Sequence, residues 1–95
     1  MAYAIRHHFP GGTQEQYEAS LIAVHGGPDA LPAGQIFHAA GAEGDGWTIF
    51  AVHESKESWE QFRDNILGPT LQAGIPGGFQ GPPMEDGYEL HTLLP

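Results

Sequence analysis

Apolar and polar residues alternate with a period of two along four stretches of this chain and follow a helical period along two others. The alternating stretches predict strands over residues 3–9, 35–40, 47–53 and 88–94. The helical stretches place Tyr17, Leu21 and Val24 on one stripe and Trp59, Phe62 and Ile66 on another. The elements therefore follow one another in the order strand, helix, strand, strand, helix, strand.

Short polar and glycine-containing motifs mark the ends of both predicted helices. Thr13 with Gln16 three residues later is typical of a capping box, and Ser55 is placed to cap the second helix. Residues 25–28, His-Gly-Gly-Pro, end the first helix because glycine favours the left-handed cap and proline cannot continue a helix. Residues 68–69, Gly-Pro, predict a kink or an interruption in the second helix.

This order of elements is typical of one small α+β fold. A chain of 95 residues can build a single modest core, so we expect one domain over residues 1–95. The βαββαβ order with right-handed crossovers predicts a ferredoxin-like plait, in which both helices lie on one face of an antiparallel sheet of order 4-1-3-2.

The sheet face opposite the helices is also predicted to be apolar. Phe50 and Val52 share that face on the third strand, and Phe37 joins them on the second. Two helices can cover only one face, and a second copy of the chain would bury the other, so we expect a homodimer. The alternative is that the long loop of residues 74–87, which holds three prolines and five glycines, folds over this face.

Charge and cysteine content exclude several classes of function. The net charge is −9, and the three basic residues, Arg6, Lys56 and Arg63, are scattered, so we expect no nucleic-acid partner and no binding to anionic membranes. The absence of cysteine excludes disulfides, thiolate nucleophiles and zinc ribbons. No apolar stretch is long enough to span a bilayer or to act as a signal segment, which indicates a cytoplasmic protein.

Two strand pairings decide which side chains share a face. The turn at residues 43–46, Glu-Gly-Asp-Gly, is typical of a hairpin, and we expect it to pair Phe37 with Phe50. An antiparallel first strand is expected to pair Tyr3 with His53. Alternation from these two pairs determines the residues that point towards the helices.

Three of the six histidines fall on that helix-facing side. His7, His38 and His53 are the predicted catalytic residues, with His7 and His38 on either side of Ile49, and His25 is assigned to a helix terminus. The residues predicted to line the same pocket as walls are Tyr3, Ile36, Trp47 and Ile49. Such a pocket would hold a small apolar or aromatic ligand between two imidazoles.

Two interpretations of these histidines stay open. Imidazole titrates near neutral pH, so His38, His7 and His53 could perform general acid–base catalysis. Each could instead be a half-buried core residue whose nitrogens bond to a backbone carbonyl or to water. No histidine pair shares a face with a nearby acid, and the glycine pairs lack the lysine of a phosphate loop, so we expect no metal and no cofactor.

Three segments of the chain resemble a known group of proteins. Residues 34–41, GQIFHAAG, residues 46–62, GWTIFAVHESKESWEQF, and the closing strand are similar to those of the dimeric α/β-barrel superfamily. Within it they resemble the antibiotic-biosynthesis-monooxygenase-like small proteins, in particular a group common in actinobacteria. His53 occupies a position that is often tryptophan in the superfamily, which makes the pocket more polar here.

The resemblance implies a function as well as a fold. It implies a dimeric α/β barrel and a cofactor-independent monooxygenase or isomerase acting on an aromatic or polyketide-like substrate. The alternative is a non-catalytic dimeric protein that binds a small ligand or serves as an accessory. The superfamily's haem-degrading members carry an asparagine on the first strand, where this chain has Tyr3, Ile5 and His7, so the resemblance does not imply haem.

Overall fold

A four-stranded antiparallel sheet carries helices on one of its faces. The computed structural model describes residues 1–94. The elements are β1 (Tyr3–Pro10), α1 (Gln14–His25), β2 (Gln35–Glu43), β3 (Gly46–His53), α2 (Lys56–Phe62), a π-helical turn (Arg63–Leu67), α3 (Gly68–Ala73) and β4 (Met84–Glu89). The strands lie in the order β2-β3-β1-β4. The predicted α+β class with an antiparallel sheet is confirmed, and none of the helices within residues 1–94 has the length and apolar character needed to cross a bilayer.

The helix ends follow their predicted motifs. Thr13 Oγ1 accepts from the backbone N–H of Gln16, whose side chain accepts from the backbone N–H of Thr13, so the capping box is confirmed. Gly26 ends α1 in the left-handed conformation, with φ of 82°. Ser55 Oγ accepts from the backbone N–H of Ser58 at 3.0 Å and caps α2.

The glycine–proline pair changes the helix without ending it. The π-helical turn follows α2 directly, and the N–H of Gly68 donates to the carbonyl of Arg63, five residues earlier. Pro69, at the start of α3, has no N–H to donate and its ring crowds the preceding turn. The interruption predicted at residues 68–69 is thus a local widening of one continuous helical segment.

The core lies between the sheet and α2. Ile5 of β1 and Ala51 of β3 point towards the helices and pack against Trp59 and Phe62 of α2. The predicted pairing of Tyr3 with His53 is confirmed. We call this side of the sheet the helix face and the other side the open face.

A β-bulge at Ile36 alters the predicted register of β2. Gln35 pairs with His53 and Phe37 pairs with Val52, so Ile36 is the extra residue. The predicted pairing of Phe37 with Phe50 is wrong, because Phe37 lies two residues further along β3. The bulge also brings Gln35 onto the helix face, where strict alternation would have placed Ile36.

The last strand begins earlier than its apolar pattern predicted. β4 covers Met84–Glu89, whereas alternation favoured residues 88–94. β4 runs antiparallel to β1, which starts at Tyr3. The N–H of Leu90 donates to the carbonyl of Ala2, and residues beyond Leu90 have no part of β1 opposite them. Every residue of β4 is exposed, which explains why burial periodicity did not mark it.

The loop between α3 and β4 lies on the helix face. Phe79 stacks on Phe9 of β1 with ring centroids 3.7 Å apart, and its N–H donates to Ser20 Oγ of α1. The alternative in which this loop covers the open face is therefore wrong. On the open face Phe37 is 46% exposed, and Met84 and Tyr88 are 57% and 56% exposed.

Tyr3 lies over the backbone of β4. Gly87 faces it from the neighbouring strand, and a Cβ atom built at Gly87 would clash with the Tyr3 hydroxyl and lie 2.9 Å from Ile5 Cδ1. Only glycine allows the ring to approach the strand this closely.

We expect Gly87→Ala to destabilise the protein by about 1–3 kcal/mol, because the new methyl group must displace the Tyr3 ring. Gly41→Ala is the matched control, since Gly41 also lies in a strand and nothing is within 4 Å of an added Cβ there. Urea denaturation of both variants measures the difference. Equal midpoints for the two variants would contradict the proposed close approach.

Candidate functional site

A cavity of about 210 Å³ lies between the helix face of the sheet and α1, α2 and the loop that precedes β4. Its walls are mostly aliphatic and aromatic side chains, among them Ile5, Leu21, Ile49, Trp59, Phe62 and Phe79. An apolar cavity of about 150 Å³ is enough to hold benzene. This cavity is therefore large enough for one substituted ring.

Four histidines line the cavity, although apolar residues dominate its surface. They are His7, His25, His38 and His53. The three predicted site histidines thus lie around one cavity, and His25 from the end of α1 joins them. Sequence reasoning assigned His25 only to a helix terminus, because nothing in the spacing indicated that α1 ends beside β2.

His38 is held through both of its ring nitrogens. Its Nδ1 lies 2.9 Å from Oε1 of Gln35, and its Nε2 lies 2.7 Å from the hydroxyl oxygen of Tyr17 on α1. Gln35 reaches His38 because the bulge at Ile36 brings both onto the same face. The predicted position of His38 beside Ile49 is wrong. His38 pairs with Ala51, which lies two residues further along β3 on the same face.

His25 packs beside this group. Its ring lies edge-on to His38 with centroids 4.9 Å apart. Its Nδ1 donates to the carbonyl of Ala30 at 2.8 Å, since a carbonyl can only accept. Its Nε2 is consequently the unprotonated nitrogen of the neutral ring.

His53 is completely buried, between the rings of Trp59 and Phe62 at 5.4 Å from each. Neither of its nitrogens has a hydrogen-bond partner among the described residues. An imidazole in this condition costs free energy, on the order of 1–3 kcal/mol for each unpaired group. Protonation of His53 is unfavourable in these apolar surroundings, so acidification destabilises the folded chain.

His7 lies on the β4 side of the cavity. It pairs with Ile49 as predicted, and its Nε2 lies 3.1 Å from a carboxylate oxygen of Glu85. Its ring packs on Trp59 with centroids 5.4 Å apart. A carboxylate can only accept, so Nε2 carries a proton and donates to Glu85.

Burial lowers the pKa of all four histidines. The pKa of His38 falls from 6.5 to about 4 through burial and then through the nearby His25 and His53. The pKa of His53 falls to about 4 through burial and then through His7 and His25. Burial lowers the pKa of His7, with Glu85 opposing it, and burial lowers the pKa of His25. The cavity therefore holds neutral imidazoles at pH 7.

Three of the four predicted wall residues lie outside the cavity lining. Ile49 lines it, but Ile36 is displaced by the bulge and is 45% exposed. Tyr3 covers Gly87 at the β4 side. Trp47 packs against the ring of Tyr17, with ring centroids 5.4 Å apart.

The sequence patterns do not predict that several of the lining residues belong to the cavity. Tyr17 was assigned to the buried stripe of α1, and Gln35 to the start of a strand. Phe79 and Glu85 fell in a segment predicted as loop, and tertiary contacts alone bring them to the cavity. The capping box does carry a signal for Tyr17, because it determines the start of α1 and hence which residues face the sheet.

Neither a metal-binding cluster nor a similar known protein indicates the function of this chain. Within residues 1–94, no group of three or more histidine or acidic side chains could hold a metal ion. Comparison of the chain with protein-family models, with curated proteins and with solved structures finds no match in any of the three. The cavity and its side chains are therefore the features of the molecule that bear on its function.

We expect stability to fall as the pH drops from about 6.5 to about 4. The unfolded chain binds protons near the ordinary pKa of 6.5, whereas folded His38 and His53 bind them only near 4, so acid favours unfolding in that window. Urea midpoints across this range measure the slope. His53→Phe should reduce it, whereas His91→Phe, at an exposed position, should leave it unchanged. A slope that is the same in His53→Phe and in the original chain would contradict the lowered pKa.

Proposed function

We propose that this chain is a small-molecule enzyme of the antibiotic-biosynthesis-monooxygenase-like type, acting without a cofactor on an aromatic molecule bound in the cavity. The observation that carries the proposal is the apolar cavity of about 210 Å³ with four neutral histidines on its walls. A few polar groups placed in an apolar pocket are typical of small-molecule sites.

The size of the cavity favours a single-ring ligand. It exceeds the roughly 150 Å³ that accommodates benzene and falls short of the 300 Å³ or so at which pockets for drug-sized molecules begin. A one-ring compound with small substituents fits this range better than a fused polyketide.

The charges around the cavity favour an uncharged ligand. The charged side chains on its lining are Arg63 and Glu85. Arg63 is paired with Asp64 at 2.9 Å, and Glu85 is paired with His7. Arg63 is thus neutralised by Asp64, while Glu85 accepts a hydrogen bond from the neutral His7 ring and is 45% exposed to solvent. Neither side chain is available as a dedicated partner for a buried ligand charge, and burying an unpaired charge is costly.

Cofactor-free oxygenation fits these features chemically. A base removes a proton from an activated ring CH₂ group, and the resulting anion reduces O₂ and forms a C–O bond. Loss of water from the hydroperoxide leaves a carbonyl, so that CH₂ and O₂ give C=O and H₂O without an external reductant. An isomerase would use the same proton transfer and return the proton at another carbon.

A second candidate is a non-catalytic ligand-binding protein. The observation that favours it is the pKa of about 4 for His38 and for His53. A general base works best when its pKa lies near the working pH, and these imidazoles are weaker bases than that. His53, whose nitrogens have no partner among the described residues, would still orient a neutral ligand through hydrogen bonds.

We expect Ala51→Leu to abolish binding of toluene, because Ala51 is buried on the cavity wall and the larger side chain fills the space. Ala42→Leu is the matched control, since Ala42 is an exposed strand residue outside the lining. Titration calorimetry with toluene measures binding to the original chain and to both variants. Absence of toluene binding to the original chain would refute the proposed aromatic site.

Turnover in the same samples separates the two functions. The probe is resorcinol, whose keto tautomer supplies the activated ring CH₂ group, and it is incubated in air with protein and no added cofactor. Products are identified by mass spectrometry. Product formation that is lost in Ala51→Leu supports the enzyme. Binding without product supports the ligand-binding protein.

We further propose that the protein is a homodimer that forms through the open face, as in a dimeric α/β barrel. The helices and the loop before β4 all lie on the helix face, so Phe37, Met84 and Tyr88 stay exposed on the other. Covering this apolar surface with its own copy favours association. Arg6, on the interior strand β1, lies within this face, and its ion pair with Glu43 would keep its charge compensated in the contact.

We expect Phe37→Asp to convert the dimer to a monomer, because it places a charge in the proposed contact while Phe37 is half exposed in the single chain. Ile22→Asp is the control, since Ile22 is 53% exposed on α1 and lies away from the open face. Light scattering at micromolar concentration measures the mass. A monomeric original chain, or a dimer that survives Phe37→Asp, would refute this contact.

A further inference from the structure

Three side chains form a continuous hydrogen-bonded series at the cavity wall. Oε1 of Gln35 lies 2.9 Å from Nδ1 of His38, and Nε2 of His38 lies 2.7 Å from the hydroxyl oxygen of Tyr17. Gln35 is 6% exposed, Tyr17 and His38 are partly buried, and all three line the cavity. The series therefore runs from a buried amide to a hydroxyl beside the cavity.

The direction of each bond follows from the chemistry of the groups. An amide oxygen only accepts, so Nδ1 of His38 carries the proton and donates to Gln35. A neutral imidazole has one N–H, which leaves Nε2 as an acceptor. The Tyr17 hydroxyl must then donate its only proton to His38.

We propose that Tyr17, and not His38, is the residue that contacts the ligand, and that the cavity selects molecules carrying an O–H or N–H donor. Both nitrogens of His38 are engaged, so His38 is a positioning residue. The hydrogen of Tyr17 is engaged as well, so its oxygen presents only lone pairs to the cavity. This inference rests on the proposed small-molecule site and assigns the chemical class of its ligand.

The same arrangement provides a route for one proton. The ligand O–H bond breaks as its proton joins the Tyr17 oxygen, while the original Tyr17 O–H bond breaks and its proton joins Nε2 of His38. The ligand becomes an anion, His38 becomes an imidazolium, and Tyr17 ends neutral. Burial raises the pKa of Tyr17, which agrees with a hydroxyl that passes a proton on and does not remain ionised.

Binding of matched probes tests this assignment. Phenol carries a donor, anisole carries only an acceptor, and toluene carries neither. Tyr17→Phe should reduce the preference for phenol over anisole by about tenfold, the value of one hydrogen bond, and leave toluene affinity unchanged. Tyr88→Phe, at an exposed position on β4, should keep the preference.

The outcomes separate this inference from the proposed function. Toluene binding with a phenol preference that survives Tyr17→Phe would overturn the role of Tyr17 alone. Failure of all three probes to bind would overturn both the aromatic site and this assignment.

The tautomer of His38 gives a second test that needs no ligand. ¹⁵N NMR at neutral pH distinguishes a protonated imidazole nitrogen from a bare one, and His38→Gln identifies the signals. We expect a protonated Nδ1 and a bare Nε2. The reverse pattern would mean that His38 donates to Tyr17, which would overturn the proposal.

Discussion

The structure depends on the packing of α2 against the sheet. Trp59 and Phe62 contact Ile5 and Ala51 and form the buried cluster, whereas the only buried residue of α1 is Ser20. The apolar stripe of α1 lines a cavity instead of filling a core. Burial of a large apolar side chain contributes roughly 1.5–3 kcal/mol, so α2 is the helix that anchors the fold. The space left under α1 is the candidate site.

Neutral imidazoles in this space have an energetic cost. His53 has no hydrogen-bond partner for either nitrogen, and His38 keeps both of its nitrogens paired only through Gln35 and Tyr17. An apolar residue at these positions would avoid the desolvation of polar groups. Polar side chains at the wall of an apolar cavity are more readily explained by a bound molecule than by stability, which agrees with the proposed small-molecule site.

Local patterns were reliable wherever neighbours in sequence decide the structure. The capping box of Thr13 and Gln16, the glycine end of α1 at Gly26 and the cap at Ser55 all formed as predicted. The expected antiparallel pairing of Tyr3 with His53 also formed. β4 was misplaced because an exposed edge strand has no burial pattern, and its partner β1 sets its limits.

The sequence by itself determined the α+β class, the elements that build it and the helix-facing side of His7, His38 and His53. Tertiary structure alone decided which side chains meet around the cavity. Because β2 has one extra residue, Gln35 and not Ile36 lies on the helix face. Because Gly87 has no side chain, Tyr3 lies against β4 and not at the cavity. The alternation of apolar and polar residues cannot reveal a bulge, because a bulge arises from the way one strand pairs with its neighbour. The partners of His38 come from α1 and from beyond that bulge, and only the folded chain brings them together.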